Sequence, residues 1–313
     1  MSYANAPISV VVPVYNEQQN IRPFLERLEP VLENIGKPAE IIFVLDPSFD
    51  QTETVILEEL GRNPAIKLLV MSRRFGQAAA TMAGILSCSG DFCVVIDVDL
   101  QDPPELIQKL YEKAQEGYDV VYATRRSRKG ENFIKEKISS LGYAIINKVS
   151  EVPIPRDTGD FRIMTRRVID ELRNLNESHA FLRGLVAYVG FRQAKVEYDR
   201  DERYSGRGKY NRFTGSLRIG LNGIIGFSVR PLQLMAIIGT ALSIFSFILG
   251  GWYVLQKLIG FDLTPGLSTT VLVVTFFSGV QLLALGLVGE YVGRIYDEVK
   301  KRPRYIVDRR INF

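Results

Sequence analysis

Two long uncharged stretches constrain the fold of this chain more than any other feature. No residue carries a charge from Pro231 to Gln256, and none does from Leu263 to Gly289. A helix needs roughly 20 apolar residues to cross the hydrocarbon core of a bilayer, and each stretch is longer than that. Buried helices of soluble proteins seldom run so far without a charge. The sequence therefore predicts two membrane-spanning helices joined by a tight hairpin at Lys257 to Asp262.

The distribution of basic residues predicts the orientation of these spans. The chain has 39 lysines and arginines against 35 acidic residues, a net charge of +4. Basic residues flank the spans at Arg212, Arg218, Arg230, Arg294, Lys300, Lys301, Arg302 and Arg304. Because basic flanks stay in the cytoplasm, both ends of the chain are predicted to be cytoplasmic. Their position beside apolar runs favours a membrane surface as partner over nucleic acid.

Residues 211–230, just before the first span, mix arginines with apolar side chains. At 100° per residue, Phe213, Leu217, Leu221 and Ile224 share one face of a helix. Such a helix can lie in the headgroup plane, although an ordinary surface helix of the soluble part is the alternative. Its direct continuation into a span favours the interfacial helix.

Upstream of residue 210, short apolar runs alternate with helical patterns. The predicted strands are Ile8–Val14, Glu40–Leu45, Ile66–Met71, Asp91–Ile96 and Asp119–Ala123. The first run is too short to span a bilayer, and no secretory signal precedes it, so we expect this part to stay in the cytoplasm. The alternation predicts an α/β fold whose mostly parallel sheet is covered by helices on both faces. Cys88 and Cys93 lack CxxC spacing and are predicted core residues.

Acidic residues collect where the predicted strands end. Glu17, Asp46, Asp97 and Asp99 all lie at or just after a strand end, the edge at which ligands of parallel sheets bind. Two carboxylates one residue apart, at Asp97 and Asp99, can face one cation. Mg²⁺ and Mn²⁺ prefer such oxygen ligands, and a diphosphate completes their shell. A lone D-x-D is more often a solvated turn, and the neighbouring carboxylates favour the metal here.

Three ordered segments resemble a known family. They are Ser9–Glu17 (SVVVPVYNE), Asp97–Glu105 (DVDLQDPPE) and Gly159–Arg162 (GDFR), extended by Ser72–Gln77, Arg203–Tyr210 and Gly289–Tyr291. The set resembles the inverting family 2 glycosyltransferases of the GT-A fold. Within them it is similar to the polyprenyl-phosphate branch, which includes dolichyl-phosphate mannose synthase and bactoprenol glucosyltransferase. The resemblance covers nearly the whole chain. It implies a cytoplasmic GT-A catalytic domain (1–210), an interfacial helix (211–230), a transmembrane hairpin (231–290) and a cytoplasmic basic tail (291–313).

The resemblance also implies an activity and a set of site residues. The activity is transfer of a hexose, with UDP-glucose the best match as donor, to a polyisoprenyl phosphate such as undecaprenyl phosphate, with Mg²⁺ or Mn²⁺. The implied nucleotide-binding residues are Pro13, Tyr15, Glu17, Asp46 and Asp97, and the implied metal ligands are Asp97, Asp99 and Gln101. Asp157 and Asp160, in a predicted turn, are the catalytic candidates, although each could simply cap that turn. Candidates for binding phosphates, the acceptor's among them, are Arg125, Lys135, Lys137, Arg203 and Lys209, for which surface solvation is the alternative.

One departure from the family pattern keeps other functions open. The family usually has paired aspartates followed by glycine and serine after the second strand, and this chain has Leu45 and Pro47 at the first aspartate and the glycine. The alternatives are a catalytically impaired membrane scaffold or regulatory protein, or a transferase with another lipid or polymer acceptor. The Q-x-x-R-W motif of processive synthases is missing around Trp252, the only tryptophan. Glycines in both spans permit a homo-oligomer.

Overall fold

The computed structural model describes residues 7–126, 158–175, 177, 182–199, 228–260 and 266–313. Within these ranges eight strands form one sheet. They are β1 (Ile8–Val14), β2 (Ala39–Leu45), β3 (Ile66–Met71), β4 (Phe92–Val95), β5 (Val120–Arg125), β6 (Thr158–Thr165), β7 (Gln193–Tyr198) and β8 (Val307–Ile311). Most of the predicted interfacial helix, residues 211–227, lies outside the described residues.

The sheet is mostly parallel, as predicted from the sequence. Its strand order is β7-β5-β6-β4-β1-β2-β3-β8. Strand β1 pairs in parallel with β2 and with β4, β2 pairs in parallel with β3, and β5 pairs in parallel with β7. Two strands run the other way: β6 lies between β4 and β5, and β8 pairs with β3. Every residue of β1 is buried, which explains why all of them except Ser9 are apolar.

Helices cover both faces of this sheet. The described helices are α1 (Ile21–Ile35), α2 (Thr52–Leu60), α3 (Gln77–Ser87), α4 (Leu106–Gln115), α5 (Arg166–Asn174), α6 (Leu182–Val189), α7 (Arg230–Leu258) and α8 (Leu267–Lys300). Helices α1, α2 and α4 pack on one face around Phe24 and Ile107, and α3, α5 and α6 pack on the other around Met82 and Leu185. The sheet separates the two cores, and each core packs against one of its faces.

Two of the sequence-based assignments need correction. Residues Thr158 to Asp160 begin β6 and are not a turn, because Thr158 pairs with Thr124 of β5. A Thr-Gly-Asp segment is typical of a turn, and here strand pairing overrides that local preference. The basic tail is not separate from the sheet either, since its Val307–Ile311 segment is β8. Its charged sequence is typical of an edge strand and carries no apolar alternation.

Helices α7 and α8 are long and apolar enough to cross a membrane. The candidate spans are Arg230–Gln256, with 27 residues, and Thr270–Lys300, with 31, and neither is buried against the rest of the protein. Helix α8 continues well beyond Gly289, the predicted end of the second span. The Tyr291 hydroxyl donates to the Ser228 carbonyl at 2.7 Å and so links α8 to the start of α7.

Strand β8 ties the end of α8 to the sheet. The Ser72 N–H donates to the Ile306 carbonyl at 2.9 Å, just after β3. The side-chain amide of Asn312 donates to the Pro64 and Ile66 carbonyls at 2.8 and 2.7 Å. Strands that precede and follow the two apolar helices in sequence therefore belong to one sheet.

Candidate active site

A proline in a central strand marks where the sheet opens. Pairing between β1 and β4 ends at Val11 and Val95, and the last bond runs from the Ile96 N–H to the Val11 carbonyl at 3.1 Å. Residues two apart in a strand face the same neighbour, so Pro13 faces the side of β4 beyond that last bond. A residue without an N–H therefore costs no ladder bond there. Beyond this point β1 and β4 are no longer bonded to each other.

This opening coincides with a reversal of strand order. From β1 the chain proceeds to β2 and β3 on one side, and β4 then returns to the other side of β1. In open α/β sheets the crevice at such a reversal is where ligands bind. Tyr15 and Glu17 follow β1, while Asp97 and Asp99 follow β4, so the structure brings these predicted site residues to one edge.

The loops after β1 and β2 form one hydrogen-bonded unit. The Asn16 N–H donates to Ser48 Oγ at 3.0 Å, and the Phe49 N–H donates to Asn16 Oδ1 at 2.8 Å. The Glu17 N–H donates to Thr52 Oγ1 at 2.9 Å. Asn16 has a φ of +52°, a region that asparagine tolerates better than most residues. Leu45 is buried in the core and Pro47 is exposed, and the hydrogen bonds of this unit form with both departures from the family pattern present.

An aromatic and cationic pair lies beside that unit. The Arg74 guanidinium carbon is 4.0 Å from the Tyr15 ring centroid, and its Nη1 donates to the Tyr15 hydroxyl at 3.3 Å. The Glu17 carboxylate accepts from Asn20 Nδ2 at 2.5 Å. A flat ring, a guanidinium and a carboxylate at the mouth of the crevice suit a nucleoside and its phosphates.

Asp97 is one of four carboxylates that interact electrostatically on the β4 side of the crevice. Gln77 Nε2 donates to Asp97 Oδ1 at 2.8 Å, and the Gln101 N–H donates to Asp99 Oδ1 at 3.1 Å. Asp102 is buried and accepts a hydrogen bond from the Tyr198 hydroxyl. The intervening Leu100 has a φ of +60°, a strained conformation of the kind found at functional sites. The fourth carboxylate is Asp160 of β6.

Burial and the neighbouring carboxylates change the acidity of Asp97. Desolvation and then the charges of Asp160, Asp99 and Asp102 raise the pKa of Asp97 to about 8, against the weaker opposing effect of the Gln77 hydrogen bond. Burial and then the neighbouring carboxylates thus give the ionised form of Asp97 an electrostatic cost. A cation placed at this edge would relieve it.

The donor set fits a divalent metal that arrives with a diphosphate. Among the described residues, no three histidine, cysteine or acidic side chains converge as a complete metal site. Asp97 and Asp99 supply two carboxylates, which matches how Mg²⁺ is commonly held, by one or two carboxylates together with substrate phosphates and water. The edge is therefore suited to a metal shared with a substrate.

Asp160 is held between two arginines. Arg183 Nε donates to Asp160 Oδ1 at 3.0 Å, and Arg162 Nη2 lies 3.8 Å from the same oxygen. Arg162 is completely buried, donates to the Gly159 and Asp160 carbonyls at 2.9 and 3.2 Å, and lies over the Tyr122 ring. The two guanidinium groups therefore restrict the position of this carboxylate.

Asp46 has a different environment from the one expected of a nucleoside ligand. It is buried, with 3% of its surface exposed. Its Oδ1 accepts from the Phe75 N–H at 3.1 Å, and its Oδ2 accepts from the Gly76 N–H at 2.8 Å. Both oxygens are thus bonded to the loop that leads from β3 to α3.

For the remaining predicted site residues, the structure gives the strand position of one and does not describe the others. Arg125 is the last residue of β5. Asp157, Lys135, Lys137, Arg203 and Lys209 fall outside the described residues. Sequence reasoning gave no role to Gln77, Asp102, Arg162 or Arg183. The first three lie inside motif segments that carry the family resemblance, whereas Arg183 comes close to Asp160 only through the fold.

Comparisons with known proteins agree with this geometry. The family model described as Glycosyl transferase family 2 matches residues 9–173. The chain is 43% identical to the "Uncharacterized glycosyltransferase YkcC" of Bacillus subtilis (strain 168), over 96% of this chain and 93% of that protein. It is 38% identical to the bactoprenol glucosyl transferase of Shigella phage SfII, over 96% and 97% of the two chains.

A solved structure shares the fold. Glucosyl-3-phosphoglycerate synthase from Mycobacterium tuberculosis, in complex with Mn²⁺, UDP and glucosyl-3-phosphoglycerate, superimposes with a TM-score of 0.51. The match covers 72% of this chain and 79% of that one at 18% sequence identity. At this identity the likeness concerns the arrangement of the sheet and its helices.

Proposed function

The chain belongs to glycosyl transferase family 2 and has the GT-A fold, and from that premise we propose that it transfers a hexose from a nucleotide diphosphate to a polyisoprenyl phosphate. Glucose from UDP-glucose is the proposed donor and undecaprenyl phosphate the proposed acceptor. The observation that carries the proposal is the position of Asp97 and Asp99 at the opening between β1 and β4, in a chain that also has two apolar helices. The bactoprenol glucosyl transferase relatives support the acceptor.

The donor is assigned to the crevice between β1 and β4. The nucleoside lies beside Pro13, Tyr15 and Glu17, and its diphosphate points toward the carboxylates after β4. Asp97, Asp99 and Gln101 would hold Mg²⁺ or Mn²⁺ there. When bound, the ion neutralises negative charge on the departing diphosphate. The acceptor phosphate is assigned to Arg125, Lys135, Lys137, Arg203 and Lys209.

The transfer needs little acid–base help at the nucleophile. A phosphomonoester has a second pKa of about 6, so the acceptor is largely a dianion at neutral pH. One of its oxygens forms a bond to the anomeric carbon while the bond from that carbon to the β-phosphate oxygen breaks. The electron pair leaves with the nucleoside diphosphate, no proton moves, and configuration inverts. Asp160, held by Arg162 and Arg183, and Asp157 are assigned to orienting the acceptor or stabilising the positive anomeric centre.

The membrane arrangement is part of the proposal. Helices α7 and α8 cross the bacterial inner membrane, and the catalytic sheet and both flanks of the hairpin lie in the cytoplasm. Strand β8 follows the hairpin yet pairs with β3, which precedes it. This pairing supports an even number of crossings, because both flanks must then lie on the same side.

The proposal is tested by transfer of radiolabelled glucose from UDP-glucose to undecaprenyl phosphate. The detergent-purified full-length chain is assayed with and without Mg²⁺ or Mn²⁺, beside Asp99→Ala and the surface control Asp170→Ala. We expect metal-dependent glycolipid and a loss of about 100-fold or more in Asp99→Ala alone, since a metal ligand acts on several kcal/mol of transition-state charge. No product across a panel of UDP- and GDP-sugars would overturn the proposal and favour a membrane scaffold.

A further inference from the structure

A chain of hydrogen bonds leads from Asp46 to Asp97. Asp46 lies at the end of β2, buried beneath the loop between β3 and α3, and its two oxygens accept the N–H groups of Phe75 and Gly76. The next residue, Gln77, donates its side-chain amide to Asp97 Oδ1 at 2.8 Å. The buried Asp46 carboxylate thus holds the backbone of Phe75 and Gly76. The side chain of the next residue, Gln77, contacts Asp97, the first carboxylate of the D-x-D pair.

The backbone between these two contacts adopts a conformation that needs holding in place. Gly76 has a φ of +93° and a ψ of 164°, a region that is essentially restricted to glycine. A Cβ at Gly76 would meet no atom within 4 Å, so this backbone geometry, and not crowding, explains the glycine. Strained conformations persist where surrounding contacts over-determine them, and the Asp46 carboxylate supplies such contacts at two successive peptides, through the N–H groups of Phe75 and Gly76.

Helix α3 gives the arrangement a rigid base. Gln77 is its first residue, and α3 packs closely on the sheet because Gly84 lets it approach Val11 of β1 and Val44 of β2. A hydrogen bond to one oxygen of a carboxylate restricts rotation of that group and thereby orients its second oxygen. The Gln77 amide therefore restricts the orientation of Asp97 before any ligand binds.

We propose that Asp46 and Gln77 are positioning residues that act in series, Asp46 through the Phe75–Gly76 backbone and Gln77 directly, to orient Asp97 toward the metal and diphosphate. This inference rests on the proposed function only in that Asp97 is a metal ligand. Outer contacts of this kind commonly change metal affinity by about 10- to 100-fold.

The family resemblance would instead make Asp46 a ligand of the nucleoside. Both of its oxygens accept backbone N–H groups, and because a carboxylate oxygen can accept more than one hydrogen bond, a base could bond here without displacing them. Among the described residues, the contacts that the structure shows for the Asp46 carboxylate are these two, and they favour a role in shaping the site from beneath.

The inference is tested by measuring Mn²⁺ binding to the full-length protein in detergent, in the presence of UDP. Binding is measured as the decrease in the electron paramagnetic resonance signal of free Mn²⁺. The variants are Gln77→Ala, Asp46→Asn and the double variant, with Gln108→Ala as a matched control on the exposed side of α4. We expect the Mn²⁺ dissociation constant to rise about tenfold in each single variant. The double variant should be no weaker than the weaker single variant, because residues acting in series are not additive. The control should match wild type.

The outcomes separate this inference from the proposed function. If wild type binds no Mn²⁺ with UDP, the metal site in the proposed function is wrong. If wild type binds and Gln77→Ala binds equally well, the positioning role of Gln77 is overturned. Losses that multiply in the double variant would show that Asp46 acts independently. Weaker UDP binding by Asp46→Asn in EDTA, where Gln77→Ala binds normally, would make Asp46 a nucleoside ligand. Gln77 is exposed, so its variant tests the idea even if Asp46→Asn folds poorly.

Discussion

Arg183 and Arg162 hold Asp160 in different ways. Arg162 is completely buried and bonded to backbone carbonyls of its own strand, so its replacement would disturb the sheet. Arg183 comes from α6, is partly exposed and meets Asp160 through one side-chain bond. Arg183 is therefore the position at which the orientation of Asp160 can be altered without damaging the core.

We expect Arg183→Gln to lower glycolipid formation with little change in thermal stability. A hydrogen bond to a charged group contributes about 1.5–3 kcal/mol, so kcat should fall by about 10- to 100-fold. The measurement is initial rate of transfer at saturating donor, together with the unfolding temperature in detergent. Arg173→Gln, which removes a surface pair with Asp170, is the control. Equal losses in the two variants would contradict a specific effect at Asp160.

The environment of Glu40, which lies away from the site, predicts that the stability of the protein depends on pH. Burial alone would raise the pKa of Glu40, but hydrogen bonds from Lys67, Ser9 and Ser89 outweigh it and hold the pKa below its ordinary value. A depressed folded-state pKa stabilises the protein above the unfolded value of about 4.3, and this stabilisation is lost as pH falls through the folded-state pKa. Glu40→Gln should be less stable than wild type at pH 7 by about 1–3 kcal/mol.

The check on Glu40 is the unfolding temperature of both proteins between about pH 7 and pH 3. The gap between them should close on acidification. Glu116→Gln removes an exposed pair with Lys113 and should show no gap at any pH. A gap for Glu40→Gln that persists at the acid end would mean that packing, and not charge, explains the loss.

Single residues of the site could be predicted from the sequence where they directly follow a predicted strand. Asp97 and Asp99 follow a buried strand, and the structure places them at the opening of the sheet as expected. The surroundings of Asp46 were not predictable, because its two partners are backbone N–H groups on another loop. The contact between Arg183 and Asp160 likewise depends on how α6 packs, which no local pattern encodes.

At the scale of elements, strands buried on both faces were the easiest to predict. The predicted bounds of β1 and β3 agree with the structure, because strands that are covered on both faces are mostly apolar. Strands β6 and β8 were missed for opposite reasons. The first begins with residues typical of a turn, and the second is a charged edge strand.

Helix α3 is the element whose position should be most sensitive to a small change. A methyl group at Gly84 would overlap Val11 Cγ1 and lie 2.9 Å from Val44 Cγ2. We therefore expect Gly84→Ala to destabilise the protein by about 1–3 kcal/mol, the usual cost of overpacking a core. The measurement is the shift in unfolding temperature.

Gly61→Ala is the matched control for that prediction. Its added Cβ would lie 3.4 Å from the Glu58 carbonyl, an ordinary contact, and its φ of −65° suits alanine. We expect a change within about 0.5 kcal/mol there. If Gly84→Ala were equally neutral, the close approach of α3 to β1 would not be a determinant of stability.

At the scale of the whole molecule, α8 connects the proposed membrane spans to the catalytic sheet. Its 34 residues correspond to about 51 Å at 1.5 Å per residue, well beyond a hydrocarbon core of about 30 Å. Near its end, Arg304 donates to the Leu175 carbonyl just after α5. In the proposed topology, α8 therefore extends beyond the bilayer and leads the chain to β8.

The hairpin topology predicts which introduced cysteines react from outside the cell. Ile259→Cys, between α7 and α8, should react with a membrane-impermeant maleimide in intact cells. Arg302→Cys, just beyond α8, should react only after permeabilisation. The unmodified chain is the control, because Cys88 and Cys93 are both buried. Labelling of both variants in intact cells, or of neither, would contradict two crossings with cytoplasmic flanks.

Strand β8 has a consequence for the order in which the protein is made. The ribosome synthesises β3 early, but its partner β8 emerges only after both apolar helices. Until then one edge of the nascent sheet carries unpaired N–H and carbonyl groups, which are prone to pairing with other chains. The sheet is completed only after both apolar helices have been translated. A truncated form that stops before α7 is therefore not a smaller soluble version of the same enzyme, since it lacks an edge strand of its own sheet.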